Sequence, residues 1–431
     1  MTIDNKILSF GKKVYRLNRS ITGEGTKQTL LELKKLLPNL KIKNIRSGTK
    51  VYDWKIPPEW NVKEAFIKDK FGKKIVDLKN HNLHLLGYSI PVEKYLTKKQ
   101  LLRKLYSLKE QKNAIPYVTS YYKKTWGFCV TYKQKNLISK KYKNKDKFFI
   151  KINSKFNTSG KLNYGELSIP GNSPETVLIS TYICHPQMAN NELSGPMVTT
   201  ALIKNYIKNK NEKTLKFIFI PETIGSIAYI KKNINYLKKR IIGGYVLTCI
   251  GDERNYSLIT TKYNNTNSDF AAIESFKKNK CRYKSYSFLK RGSDERQFNS
   301  PGVNLPIASI LRTKHGNYRE YHTSLDNFKL VTKKGLSGGY KVAKNAIDIL
   351  IKSKIPKNKQ ICEPFLQNKN LYNNISLKNN SDLRNYSRLI LDFLQFADGK
   401  NNLLTISNLI NLNLKKTKKI FSILKNKKIV F

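Results

Sequence analysis

Three runs between residues 176 and 251 are apolar at nearly every position: "TVLISTYI", "LKFIFIPE" and "IIGGYVLTCIG". Two longer stretches, "SGPMVTTALIKNYIKN" and one opened by "IGSIAYIKKN", separate them. A half-exposed strand alternates apolar and polar residues, whereas a strand that is apolar throughout must be covered on both faces. Such strands, alternating with helices, predict an α/β fold: a three-layer structure around a mostly parallel sheet.

In a sheet of this kind ligands gather at the carboxyl ends of the strands. Three of these ends carry polar residues that the apolar runs do not explain. The first ends at His185 within "STYICHPQMANNELSGP", the second at Glu222, and the third at the segment Cys249–Asp252. Only five histidines exist: His81, His84, His185, His315 and His322. His322 lies in "REYHTSLDN" between Glu320 and Asp326, and "RGSDERQF" adds Asp294. Neutral imidazole and carboxylate are the ligands of a catalytic zinc ion that keeps one position open for water. Each residue also has a plainer reading. A strand-end histidine is commonly a hydrogen-bonded structural residue, Glu222 can cap the helix that follows, and Asp252-Glu253 can be a solvated turn. Their shared position on one rim favours a site.

Around this centre the pattern changes. Residues 4–37 read as helix, with Thr22-Gly23 as a loop before "LLELKKLL". From about 42 to 90, short alternating segments punctuated by Pro57-Pro58, Asp69 and Gly72 read as strands. After "KSKIPKNKQ", a linker, three short helices and a final "KIVF" suit a winged helix-turn-helix, with Leu389, Ile390, Phe393, Leu409, Ile420 and Leu424 as its core. The expected domains are 1–45 with 150–352 (α/β), 46–149 (a β-rich insertion) and 353–431 (winged helix). A chain of 431 residues has room for two or three cores.

Composition excludes several classes. Hydrophobic content of 39% suits a folded chain, and no apolar run is long enough to span a membrane. The start, "MTIDNKILSFGKK", lacks the apolar segment of a signal peptide. Five scattered cysteines without CxxC spacing argue against a disulfide framework and a thiolate zinc site, and for a cytoplasmic protein. The formal charge of +53 comes mainly from lysine spread over the whole chain together with Asn, Ile and Tyr. An AT-rich coding sequence produces that composition without selection for nucleic acid, so nucleic acid is not the expected partner.

The succession "CHPQMANNELSG", "FIFIPETIGSIAYI", "VLTCIGD", "GSDERQFNSPGVNLPIASI" and "YHTSLDN" resembles the zinc aminopeptidases of the leucyl-aminopeptidase and glutaminyl-cyclase-like kind. The chain from about residue 10 to 430 is more similar still to a bacterial family described as a domain of unknown function: an aminopeptidase-like domain with a small insertion and a C-terminal winged helix. "SGTKVYDWKIPPEWNVKEAFIKD", "NLHLLGYSIPV" and "AIPYVTSYYKKTWGFC" carry that likeness outside the metal motifs. The resemblance implies that His185 and His322 are metal ligands and that Asn191 stands where an Asp bridges two ions. It places Thr248 where another Asp ligand would be, and Glu222 where the relatives have a Glu pair. Asp294 falls at the Asp of a Ser-Asp-His motif, and Asp326 behind the final histidine.

An Asn supplies a neutral oxygen in place of a carboxylate, and Thr248 removes a second anion. Less negative charge then offsets the repulsion between two cations. The expectation is therefore one zinc ion, held by His185 and His322 with Asn191 or Glu222. Glu222 is the general base if it is not a ligand. Asp252, Glu253, Asp294 and Glu320 are candidates to hold a substrate ammonium. The implied function is a zinc-dependent, aminopeptidase-like hydrolase acting on a small peptide or amino-acid-containing substrate, with homo-oligomerisation left open. The alternative is a degenerate peptidase fold that binds a ligand and signals through the winged helix.

Overall fold

The computed structural model describes residues 3–372 and 382–431. Its centre is an eight-stranded sheet built from β1 (Lys41–Arg46), β2 (Lys161–Ile169), β3 (Ser173–Tyr182), β4 (Lys213–Ile220), β5 (Ile241–Leu247), β6 (Ser257–Ile259), β7 (Lys284–Tyr286) and β8 (Ile307–Leu311). The spatial order is β1-β2-β4-β3-β5-β8-β6-β7. The four central strands, β4, β3, β5 and β8, are mutually parallel. Antiparallel pairs bring in β1, β2 and β6, and β7 pairs parallel with β6 at the far edge. The mostly parallel expectation thus holds at the centre, where the site lies, and yields toward the edges.

The apolar runs are apolar because both faces are covered. On β3, Val177 and Ile179 face one core and Leu178 the other; on β4, Phe217 and Phe219 oppose Ile218 and Ile220. The first core packs against α1 (Asn5–Tyr15), α2 (Glu24–Leu36), α3 (Ser194–Tyr206), α5 (Asn267–Lys278) and α6 (Lys333–Lys352). Residues from 3–40 and from 167–351 contribute to it together. The second lies under α4 (Ile224–Arg240) and runs into the insertion, where Trp60, Leu85, Phe148 and Ile150 join Ile218, Val246 and Tyr229. The insertion's own sheet is antiparallel, in the order Lys74–Asp77, Glu59–Lys68, Lys147–Asn157, Val92–Thr97. It is built onto the α/β unit through a shared core.

Because the central strands run the same way, Tyr182, Ile220, Leu247 and Leu311 all end at one edge of the sheet. The close approach of α3 to that edge depends on Gly195. A Cβ there would lie 2.2 Å from the Thr181 hydroxyl and 2.3 Å from the Leu247 carbonyl oxygen. Among the described residues no helix is long and apolar enough to cross a membrane.

The tail folds as a winged helix. Helices Asp382–Phe396, Leu403–Leu409 and Leu414–Asn426 surround a core containing Ile390, Phe393, Ile406, Ile420 and Leu424. Leu389 packs on its margin, and Leu409 is half-buried outside it, so that core expectation is corrected at Leu409. The terminal segment closes a short wing: Lys359 N–H donates to the Ile429 carbonyl at 3.0 Å and Phe431 N–H to that of Lys357 at 2.9 Å. One side chain, Asn267 at the start of α5, ties this domain to the sheet. Its Nδ2 donates to the carbonyls of Ile242 (3.0 Å) and Lys400 (2.8 Å). Its Oδ1 accepts from the Asn402 N–H (2.9 Å) and the Thr405 hydroxyl (2.6 Å).

Asn267→Ala removes all four bonds and leaves partners without theirs, at about 1–3 kcal/mol for each buried group left unpaired. Hydrogen exchange is expected to speed up at residues 400–405 while the amides of β3 and β4 keep their protection. Unchanged exchange at 400–405 would contradict this role.

Candidate functional site

His185 follows β3 and is 4% exposed. Its Nδ1 donates to Glu192 Oε2 at 2.9 Å, which leaves Nε2 as the ring nitrogen not engaged by that carboxylate. Burial opposes a charge on the ring, but Cys184, Tyr117 and Glu192 raise its pKa well above the ordinary histidine value. Glu192 is itself held by a buried cation, Arg19, whose Nε lies 3.8 Å from Oε1 and donates to the His185 carbonyl oxygen at 2.9 Å. Cys184, His185 and Glu192 bring ligand-type atoms within 4.8 Å of one another. They do not form a convincing cage. Glu192 is engaged by His185 and Arg19, and burial pushes the Cys184 thiol up to about 11. The group supports His185, as carboxylates behind metal-binding histidines do.

His322 arrives on a distant loop. Its ring centre is 5.4 Å from that of His185, and its buried Nε2 has no hydrogen-bond partner among the described residues. Burial, with His185 nearby, pushes its pKa down to about 3, so the ring is neutral. Tyr321 stacks on it at 3.9 Å. Tyr117 of the insertion stands against both histidines, at 5.3 and 5.2 Å between ring centres. The insertion also grips the loop by its backbone: Tyr117 N–H donates to the His322 carbonyl at 2.8 Å.

Asp326 holds the two histidine segments together. Oδ1 accepts from the N–H groups of Ala189 (3.0 Å) and Asn190 (2.5 Å), and Oδ2 from that of Asn191 (2.9 Å). These three residues open a π-helical turn, Ala189–Leu193, that leads into α3. Oδ2 also accepts from the Tyr318 hydroxyl at 3.1 Å. Burial raises the Asp326 pKa to about 6 in spite of these donors.

Glu222 follows β4, and its Oε2 lies 3.7 Å from His185 Nε2. Burial raises its pKa, while His185 and Arg296 pull it down. Asp294 stands beside it. One oxygen accepts from the Thr223 N–H and the Ser226 hydroxyl, both at 2.8 Å, and the other is buried without a partner. Burial and the Glu222 charge push Asp294 up to about 7.

The remaining sequence candidates are put to other uses. Asn191 Oδ1 accepts from the Tyr182 hydroxyl at 2.8 Å, and the Thr248 hydroxyl donates to the same phenol at 2.5 Å. A hydrogen-bonded phenol thus joins the two positions at which the resemblance places carboxylate ligands. Asp252 is buried and accepts from Asn190 Nδ2, the Arg254 and Thr313 N–H groups and the Thr313 hydroxyl at 2.6–3.1 Å. Glu320 forms a two-pronged pair with Arg254 at 2.8 and 2.7 Å. Glu253 binds the Thr332 hydroxyl and Lys334. None of these three keeps a carboxylate free to hold an ammonium. Sequence reasoning assigned no role to Glu192, Arg19, Tyr117 or Tyr182. The one available signal was an Arg before "SITGEG" in a chain whose basic residues are mostly lysine.

The backbone here is strained. Gln187, Thr223, Cys249 and His322 have φ of 39°, 64°, 46° and 54°. For a β-branched residue such as Thr223 this region is a rare outlier, and such strain costs about 1–3 kcal/mol per residue and gathers at functional sites.

Residues 9–353 match the family described as Domain of unknown function (DUF4910), and residues 354–431 match a winged helix-turn-helix. A Clostridium acetobutylicum protein, named for polysaccharide biosynthesis and an aminopeptidase-like domain, is 37% identical over 403 residues, 93% of this chain and 90% of its own. A crystal structure from Clostridium acetobutylicum, named as a peptidase, is 34% identical with a TM-score of 0.79, covering 99% of this chain and 96% of that one. The Bacillus subtilis zinc aminopeptidase shares the fold at 12% identity, with a TM-score of 0.59 over 82% of this chain and 97% of its own.

Asp326→Ala strips the buried N–H groups of Asn190 and Asn191 of their acceptor, whereas that of Ala189 keeps the Asp326 backbone carbonyl at 3.0 Å. At about 1–3 kcal/mol each, urea unfolding is expected to register a loss of at least about 2 kcal/mol. Asp326→Asn keeps one acceptor oxygen and should lose less. Equal stability of Asp326→Ala and the unsubstituted protein would contradict the pinning role.

Proposed function

The chain belongs to the family described as Domain of unknown function (DUF4910), and from that premise we propose that it is a zinc-dependent hydrolase of an amide bond with a single ion. The observation that carries this reading is the pair of inward-facing imidazole nitrogens. Nε2 of His322 is buried without a partner, Nε2 of His185 is left free by Glu192, and Glu222 stands beside them. Two imidazole nitrogens with a carboxylate at hand suit zinc: His322 is neutral, and His185, protonated without a metal, would give up its proton to the ion. His185 and His322 would hold the ion. When bound, it would polarise a carbonyl and lower the pKa of a water molecule.

The protein's own residues supply the rest. Glu222, its pKa raised by burial, takes a proton from the attacking water and passes it to the leaving nitrogen. Asp294, itself pushed up to about 7 by burial and the Glu222 charge, titrates together with that glutamate and anchors the strained turn at Thr223. Tyr117 and Tyr321 wall the space and exclude water. The phenol of Tyr182 fills the region between Asn191 and Thr248, which supports one ion over two. The substrate is a small peptide or another amino-acid-containing amide.

A second reading follows from the same phenol. With Asn191 neutral and its oxygen engaged, the site lacks an anionic ligand, and a protein that only binds such a ligand and acts through its winged helix remains the alternative. Zinc uptake and turnover separate the two. Calorimetry should give one zinc per chain, at least about tenfold tighter in Asn191→Asp, which restores an anion, and none in His185→Ala. Glu222→Gln should keep zinc and lose about 10²–10⁴-fold in rate on an amide substrate. Zinc uptake without turnover on any amide favours the binding protein, and no uptake removes the metal.

The pH profile gives a further check. Glu222 and Asp294 both have raised pKa values, so kcat/KM should fall as pH drops through the region near 7 where the pair gains a proton. Asp294→Asn removes the neighbouring negative charge, which lets Glu222 ionise more readily. The acid limb should therefore move to lower pH, and a limb that stays in place would contradict the coupling.

A further inference from the structure

Beside Glu222 the rim carries basic groups that this scheme does not use. Arg296 lies on the short helix Glu295–Phe298. A guanidinium Nη2 donates to the Thr223 hydroxyl, while the buried Nε has no partner. Lys314 and His315 follow β8 and are 9% and 7% exposed. Lys314 Nζ donates to the His315 carbonyl at 3.0 Å and lies 3.5 Å from Nδ1 of the same ring. An ammonium facing Nδ1 makes Nε2 the N–H of that ring, and this Nε2 is buried with no acceptor. The Ser293 hydroxyl, 1% exposed, faces Glu222 and helps to lower its pKa without forming a hydrogen bond of full geometry.

The carboxylate in their midst is already spent. Glu295 accepts from the Gly292 and Ser293 N–H groups at 2.8 and 3.1 Å and from the Ser309 hydroxyl at 3.0 Å. Among the described residues neither Arg296 nor Lys314 has a carboxylate within 4.0 Å, although the charges of Glu222 and Asp294 face Arg296 and that of Glu295 faces Lys314. Buried cations and N–H donors without acceptors are costly, and an anionic ligand group relieves them together. Burial lowers the Lys314 pKa and takes His315 down to about 4 although the Glu295 charge works against it at both.

We propose that this lobe is the anion subsite of the substrate: the amide presented to Glu222 carries a carboxylate or phosphate group, received by Arg296 and Lys314 with hydrogen bonds from Ser293 and His315. This rests on the hydrolase reading and adds the substrate's charge to it. It also fits the engagement of Asp252, Glu253 and Glu320 elsewhere, which leaves an ammonium without an exposed carboxylate host.

Succinate and inorganic phosphate, titrated separately into the full-length protein by calorimetry at an ionic strength of about 0.15 M, test the subsite. One anion per chain is expected, bound at least about tenfold more weakly in Arg296→Gln and in Lys314→Met. Two variants are used so that a folding failure in one leaves the other to decide; melting temperature identifies such a failure. Binding of succinate alone indicates a carboxylate substrate, and binding of phosphate alone a phosphorylated one. No binding of either anion overturns the proposal, as does equal binding by both variants and the unsubstituted protein. Zinc uptake measured on the same samples separates the two readings. A failed subsite leaves zinc uptake intact, and a failed metal reading leaves anion binding intact.

Discussion

The carboxylate of Asp326 is the interaction on which the site depends. It sits four residues after His322 and takes three consecutive N–H groups from the turn that begins four residues after His185. A turn of that kind would otherwise bury donors without acceptors, which is among the most costly states for a backbone. With Asp326 in place, the loop from β3 into α3 and the loop before α6 become one unit. The two imidazoles then face each other across a few ångströms, although 136 residues of chain separate their segments at the Asn190–Asp326 bond. Asp252 repeats the device at the next strand, joining Asn190 to the Thr313 segment after β8.

This use of acids explains how a chain of formal charge +53, with 29 Asp and Glu, builds an anionic rim and then consumes most of it. Asp252, Asp326, Glu192 and Glu295 accept hydrogen bonds from groups of the protein itself. Glu222 and Asp294 combine a raised pKa with a position beside the histidines and, unlike Asp326, are not taken up by three backbone N–H groups. Two neighbouring carboxylates that raise each other's cost of ionising cannot both ionise readily, so one proton is held near neutral pH. That is the condition for a group that must accept a proton and then return it.

Much of the framework was legible in the sequence because it rests on periodicity. Apolar β3, β4 and β5 demanded cover on both faces, and parallel order then fixed His185, Glu222 and Thr248 on one edge. The winged helix was legible through its short helices, with Leu409 misplaced because a half-buried leucine and a core leucine share the same helical spacing. His322 came from its motif alone, since loop position has no period. What the sequence concealed depends on side-chain direction across long separations. Arg19 reaches the His185 carbonyl from 166 residues away, and Tyr117 comes from the insertion. Asn191 could be seen to lack charge, but the phenol of Tyr182 that engages its oxygen could not be read from spacing. Nor could the left-handed backbone at Thr223 and His322, where neither residue type favours it.

Crystals grown with zinc and measured at its absorption edge give the most direct test. The account predicts one anomalous peak, within bonding distance (about 2.0–2.1 Å) of Nε2 of both His185 and His322, with none beside the Tyr182 hydroxyl. A second peak between Asn191 and Thr248, or a single peak held by Cys184 and Glu192, would contradict it.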